Sequence, residues 1–124
     1  MATVTLTKEN FNDVVEGDAI VLIDFWASWC GPCRSFAPTY EQASARHPGV
    51  VFGKVDTEAE PELAAAFGIT AIPTVAVIRD KVVLYKQPGA LSGAVLDDLI
   101  SQAEALDMEQ VRAELRASGQ FQEQ

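Results

Sequence analysis

Between Ala19 and Trp26 the chain reads Ala-Ile-Val-Leu-Ile-Asp-Phe-Trp, a run in which Asp24 is the one polar residue. A run this short, β-branched and without alternation describes a strand buried on both faces, as in the middle of a sheet with helices above and below it. Trp29-Cys30-Gly31-Pro32-Cys33 follows at once, and Phe36, Tyr40 and Ala43 then recur at helical spacing until His47-Pro48-Gly49 stops the helix. The two cysteines therefore stand at the junction of a central strand and a helix. Pro38 lies inside that helix and predicts a kink.

The remaining elements are arranged around this pair. Val4 to Leu6 is a short alternating segment, and Thr7 caps a helix expected over Lys8 to Val15, with Gly17 as its end. Val50 to Val55 reads as a strand, and Pro61 to Phe67 as a short helix that Gly68 stops in the left-handed region. Thr74 to Ile78 and Val82 to Tyr85, joined by Arg79-Asp80-Lys81, predict an antiparallel hairpin. Ser92 caps a last amphipathic helix through about Glu104. This order implies an α/β chain with a parallel sheet covered on both faces and an antiparallel strand at one edge. Met108, Val111 and Leu115 are out of phase with Ile100 and Ala103, so a separate helix from Met108 to Ala117 is expected, capped by Asp107 with Gln110 and ended at Ser118-Gly119. It could dock on the domain through Val111 and Leu115, self-associate through them, order on a partner, or remain a solvated tail.

Composition removes several function classes. A chain of 124 residues buries enough surface in one core to fold without a disulfide framework or a structural metal. With 18 acidic against 9 basic residues, net −9, nucleic acid and anionic membrane surfaces are not expected partners. Ala19 to Ala27, the longest apolar stretch, is far below the roughly 20 residues of a membrane span. Residues 1 to 18 lack the pattern of a secretory signal, so the expected location is cytoplasmic and reducing. In such a compartment two cysteines are more often chemical than architectural.

Zinc would need two further ligands beyond Cys30 and Cys33, and the chain offers only His47, so no metal is expected. A pair of buried core thiols leaves their place at a strand–helix junction unexplained. The amino end of a helix, in contrast, supplies unpaired N–H groups and partial positive charge that stabilise a thiolate. Cys30, expected in the exposed first turn, would be the nucleophile. Cys33, one turn inward, would resolve the mixed disulfide.

Val21 to Arg34, VLIDFWASWCGPCR, resembles the active-site segment of the thioredoxin family, and Asp24, Trp26, Trp29, Pro38, Lys54, Ile72-Pro73-Thr74 and Gly89 extend the likeness to about Glu104. The resemblance implies a thioredoxin fold: a central mixed five-stranded sheet flanked by four helices over residues 1–104, with an extension over 105–124 that carries a short extra helix. It makes Asp24 the proton acceptor and donor for Cys33, a task suited by the raised pKa that burial gives a carboxyl, and Lys54 the partner of Asp24. It implies a cis Ile72–Pro73 bond and a contact surface for substrate formed by Trp29, Gly31, Pro32, Ile72, Pro73, Gly89 and Ala90, with Trp26 in the core.

The implied activity is that of a protein-disulfide reductase, a monomer acting on disulfide-containing proteins and recycled by an NADPH-dependent thioredoxin reductase. No cofactor is expected besides the Cys30–Cys33 disulfide, since the chain has no Gly-rich dinucleotide motif. No histidine stands between the cysteines, which favours a reductase over an oxidant or isomerase; a role as a binding subunit is the alternative of another class. Three departures from the family pattern stand out: Arg34 where lysine is usual, Arg79-Asp80-Lys81 in place of a glycine turn, and Gln87-Pro88 before Gly89.

Overall fold

The computed structural model describes residues 3–119. In chain order it contains β1 (Thr3–Thr5), α1 (Phe11–Val15), β2 (Val21–Trp26), α2 (Gly31–Arg46), β3 (Val51–Asp56), α3 (Pro61–Ala66), β4 (Thr74–Arg79), β5 (Val82–Pro88), α4 (Gly93–Ala105) and α5 (Met108–Ser118). The strands form one sheet in the order β1-β3-β2-β4-β5. The apolar run is its middle strand, and Val21 to Phe25 are all buried. Residues of β2 alternate between two cores. Leu22 packs with Phe36 and Tyr40 of α2 and Leu96 and Ile100 of α4, while Val21, Ile23 and Phe25 pack with Val15 of α1 and Leu63 of α3. Among the described residues no helix is long and apolar enough to cross a membrane.

One feature of the expected topology is corrected. The antiparallel strand is β4, second from the edge: β2 pairs parallel with β3 and antiparallel with β4, and β5 at the edge is antiparallel to β4. After β3 the chain re-enters the sheet from the end at which β3 left it, so β4 runs opposite to β2.

Helix α1 begins at Phe11, not Lys8. Thr7 and Asn10 exchange bonds instead, Thr7 N–H donating to Asn10 Oδ1 (2.8 Å) and Asn10 N–H to Thr7 Oγ1 (3.3 Å), while Lys8 N–H donates away from the helix to Glu60 Oε1 (3.0 Å). Strand β5 continues past Tyr85 to Pro88, whose partner is Thr74. Ser92 caps α4 as expected, its Oγ accepting the Val95 N–H.

Gly53 of β3 is buried and has no room for a side chain, because a Cβ there would overlap Leu6 Cδ1 and Cγ. Leu6 is fully buried, and the Gly53 carbonyl accepts from Tyr40 Oη at 2.8 Å on the other side. Gly53→Ala should therefore cost about 1–3 kcal/mol by overpacking, read as a lower thermal midpoint.

The C-terminal helix is docked. Met108 is buried, Asp107 Oδ1 accepts from the Glu109 and Gln110 N–H groups, and Gly119 closes the helix at φ +77°. The hairpin turn that departs from the family pattern meets it. Asp80 and Lys81 take φ of 54° and 65°, the two-residue turn that suits the twist of a hairpin. Arg79 Nη1 donates to the Ala103 and Leu106 carbonyls (2.7 and 3.1 Å), satisfying acceptors that the end of α4 leaves unpaired. Asp80 pairs with Arg112 of α5 at 3.1 Å. Truncation after Glu104 removes Met108 from its site and Arg112 from Asp80. It should cost about 2 kcal/mol, nearly all from lost apolar burial because the half-exposed ion pair adds little. An unchanged melting point would refute the docking contribution.

Candidate active site

Cys30 is the N-cap of α2, with extended backbone (φ −87°, ψ 111°), and Gly31 and Pro32 open the helix. Proline fits there because the first N–H groups of a helix have no internal partner. Cys33 N–H, one of those groups, donates to Cys30 Sγ at 3.2 Å. The two cysteines are disulfide-bonded, with Cα atoms 5.2 Å apart. An exposed Cys30 is not found: it is 4% exposed and Cys33 3%. Ile72 O lies 3.8 Å from Cys30 Sγ, and Arg34 folds back so that its Nη1 donates to Ser28 O at 2.8 Å. Exposure thus does not distinguish the thiols. The N-cap position does, because the N–H that would stabilise a thiolate points at Cys30.

Asp24, on the strand that leads to the pair, is fully buried, with both carboxylate oxygens lacking a hydrogen-bond partner among the described residues. It shares a sheet face with Leu22, the face covered by α2. Burial pushes its carboxyl from the ordinary 3.8 up to about 6, against a smaller downward pull from Lys54. Lys54 is the register partner of Asp24 on β3, and its Nζ sits 5.2 Å from the centre of the Trp26 ring. Trp26 is half-buried. Tyr40 is held well above its ordinary range, by burial first and by the Asp24 charge second.

Trp29 projects from the surface, 65% exposed, and its Nε1 donates to Glu58 Oε2 at 3.4 Å. Glu58 is in turn held by its own N–H, which donates to Asp56 Oδ1 at 2.9 Å. Beside Trp29 a groove of about 420 Å³ is lined by Thr57, Ala64, Ile69, Thr70, Ala71 and Ile72. Across from the thiols the Ile72–Pro73 bond is cis. Pro73 is buried, so of the expected contact residues it lies beneath the surface while Ile72 reaches it. Pro73 O accepts the Gly89 N–H at 2.7 Å, and Gly89 adopts φ +111°, a conformation that favours glycine. Pro32, Gly89 and Ala90 are exposed and Gly31 is half-buried.

The structure thus gathers Cys30, Cys33, Trp29, Gly31, Pro32, Ile72, Pro73 and Gly89 at one end of the sheet, and pairs Asp24 with Lys54 on the adjoining strands β2 and β3. Glu58 and the Thr57–Ala64–Ile69 wall were not expected. Their signal was weak: Glu58 and Glu60 both follow β3, and only the fold shows that Glu58 turns to Trp29 while Glu60 goes to Lys8.

Comparison with known proteins agrees with this geometry. The thioredoxin family profile matches residues 2–102. A Streptomyces coelicolor protein described as "Putative thioredoxin 2" is 59% identical over 111 residues, 90% of this chain and 83% of that one. A Plasmodium falciparum thioredoxin structure superposes with a TM-score of 0.72 at 32% identity, covering 79% of this chain and 96% of that one. A chloroplastic thioredoxin z does so at 0.77 and 27%, covering 86% and 97%. The five-stranded mixed sheet, the cysteine pair capping α2 and these likenesses together show that the chain belongs to the thioredoxin family, with the redox-active pair of a thiol–disulfide oxidoreductase.

Proposed function

We propose that the chain is a protein-disulfide reductase in which Cys30 attacks and Cys33 resolves. In the reduced protein the Cys30 thiolate attacks one sulfur of a substrate disulfide. A Cys30–substrate bond forms and the substrate S–S bond breaks, releasing one thiolate that takes up a proton from solvent. Asp24 accepts the proton of Cys33, whose thiolate then attacks Cys30 Sγ and releases the second substrate thiol. The Cys30–Cys33 disulfide is left, and two electrons have passed to the substrate. A separate NADPH-dependent thioredoxin reductase passes two further electrons from NADPH to that disulfide and restores the dithiol, in a reducing cytoplasmic setting. Lys54 tunes Asp24. The substrate lies extended along the Ile72 backbone, with an apolar side chain in the groove beside Trp29 and further contacts to Gly31, Pro32, Gly89 and Ala90.

The observation that carries this reading is the Cys33 N–H directed at Cys30 Sγ from the helix cap; the buried Asp24 carboxyl, raised to about 6, supports it. Insulin reduction with NADPH and a bacterial thioredoxin reductase tests it, and no turnover above the thiol background would refute it. Equilibration of the Cys30–Cys33 couple with glutathione separates reductase from oxidant. A potential near those of secretory-compartment oxidants would favour the oxidant.

A further inference from the structure

Outside the redox site, a cavity of about 130 Å³ lies between α4 and the β4–β5 hairpin. Val77, Leu84 and Tyr85 of the sheet and Leu99 and Ala103 of α4 line it, and Leu106, in the joint between α4 and α5, borders it. Its place in the sheet is remote from the thiols. Val77 pairs with Leu22 near the start of β2, whereas the cysteines follow the other end of that strand.

Two departures from regular structure build it. The register between β4 and β5 shifts from Val77↔Tyr85 to Ile78↔Val83, leaving Leu84 as an extra residue, so that Leu84 and Tyr85 both turn toward α4. The extension then supplies Leu106, held by the bond from Arg79 Nη1 to its carbonyl. On α4, Val95, Leu99 and Gln102 recur at spacings of four and three and form one stripe, which Leu106 extends just past the helix end. Val95 and Leu106, 43% and 40% exposed, are two of the few large apolar side chains open to solvent.

The charge carried by the stripe's own stretch of chain has one sign. From Gln87 to Val111 the sequence holds Asp97, Asp98, Glu104, Asp107 and Glu109 and no lysine, arginine or histidine. Neighbouring basic side chains are engaged: Arg46 and His47 on Asp97, which they offset, Arg79 on the carbonyls ending α4, and Arg112 on Asp80, leaving Asp98, Glu104, Asp107 and Glu109 as the acidic rim.

We propose that this cavity is a second docking site, independent of the thiol surface and of the reductase reading, which takes one apolar side chain of a partner segment flanked by lysine or arginine. The size fits, since a cavity of roughly 150 Å³ accepts a benzene ring. Acidic flanks steer a cationic segment and repel a second copy of a chain carrying −9. The extension thereby gains a task, as the residue that borders the cavity lies beyond the family profile.

The test is a titration of the full-length wild-type protein, followed by amide chemical shifts, with a cysteine-free 12-residue peptide bearing one Phe between lysines. The expected shifts fall on Leu84, Leu99, Ala103 and Leu106 and spare Trp29. A version with glutamates around the Phe should bind at least about tenfold more weakly. Leu106→Ser, which removes an exposed wall, and Asp98→Lys, which reverses a rim charge, should each weaken binding about fivefold or more with the melting point retained. The proposal fails if the lysine peptide gives no shifts at millimolar concentration, shifts Trp29 and Ile72 instead, or binds no better than the glutamate peptide. It also fails if Phe121→Ser alone perturbs the cavity resonances, or if sedimentation shows a dimer lost in Leu106→Ser, since the occupant would then be the chain's own end or a second copy.

Discussion

Cys30→Ser is expected to abolish insulin reduction, while Cys33→Ser should leave a protein that attacks once and stops as a mixed disulfide. The asymmetry follows from the helix cap. A serine hydroxyl at position 30 is neither ionised by one backbone N–H nor able to form an S–S bond, so no first step remains. With Cys33 replaced, Cys30 still receives the N–H of residue 33, at 3.2 Å in the wild type. The mixed disulfide forms but must be resolved by a thiol from solution. An intramolecular thiol in position acts at an effective concentration of about 10⁵ M or more, so turnover should fall by at least about a thousandfold. Non-reducing gels and intact mass measure the trapped adduct. The roles are reversed if the adduct accumulates on Cys30→Ser instead.

Asp24→Asn should stabilise the fold and slow the chemistry, and both effects should follow pH. The folded carboxyl titrates near 6 against an ordinary 3.8, so the folded state holds its proton more tightly than the unfolded chain does. Native stability is then undiminished below about 3.8, declines as pH rises toward about 6, and has lost about 3 kcal/mol at neutral pH. Asparagine, which does not ionise, avoids that loss. Denaturant midpoints of the variant should exceed wild type at pH 7 and converge with it near pH 4. A constant difference across that range would mean that Asp24 does not titrate in this window. In activity, the variant loses the proposed proton acceptor for Cys33, worth about a hundredfold in the resolving step. The wild-type rate for that step should rise through about pH 6. Lys54→Met removes the charge that pulls the Asp24 carboxyl down, so its limb should move to higher pH. A merely structural role for Lys54 would lower the rate without moving the limb.

Much of the architecture was legible because β2 is buried on both faces and a strand in that position has a composition of its own. Ser92, Asp107, Gly68 and Gly119 were legible as caps and stops for the same local reason: each satisfies a helix end by residue type. Strand direction was not legible. That β4 enters antiparallel depends on which end of the sheet the chain returns to after β3, and periodicity alone does not show where a connection returns. Within the site, chain spacing placed Cys30 beside Cys33, but the near-complete enclosure of Cys30 arises from Ile72, forty-two residues away. The pairing of Trp29 with Glu58 was hidden likewise, being a contact between loops. Arg79 and Asp80 read as an odd turn, and the extension read as a tail; only in three dimensions does each account for the other.

The reversed strand has a mechanical consequence. Since β4 runs against β2, the start of one and the finish of the other meet at the last rung, Phe25 opposite Thr74. The site is a caliper whose jaws, Cys30 and Ile72, continue two adjoining ladder strands, and whose gap is gauged by that pair. Thr74 is pinned on its other side by Pro88, and Gly89 by the carbonyl of Pro73. A chain with that rung open has both cysteines, three residues apart, but no opposing jaw. Competence to recognise a substrate should therefore arrive and depart with the fold as one event.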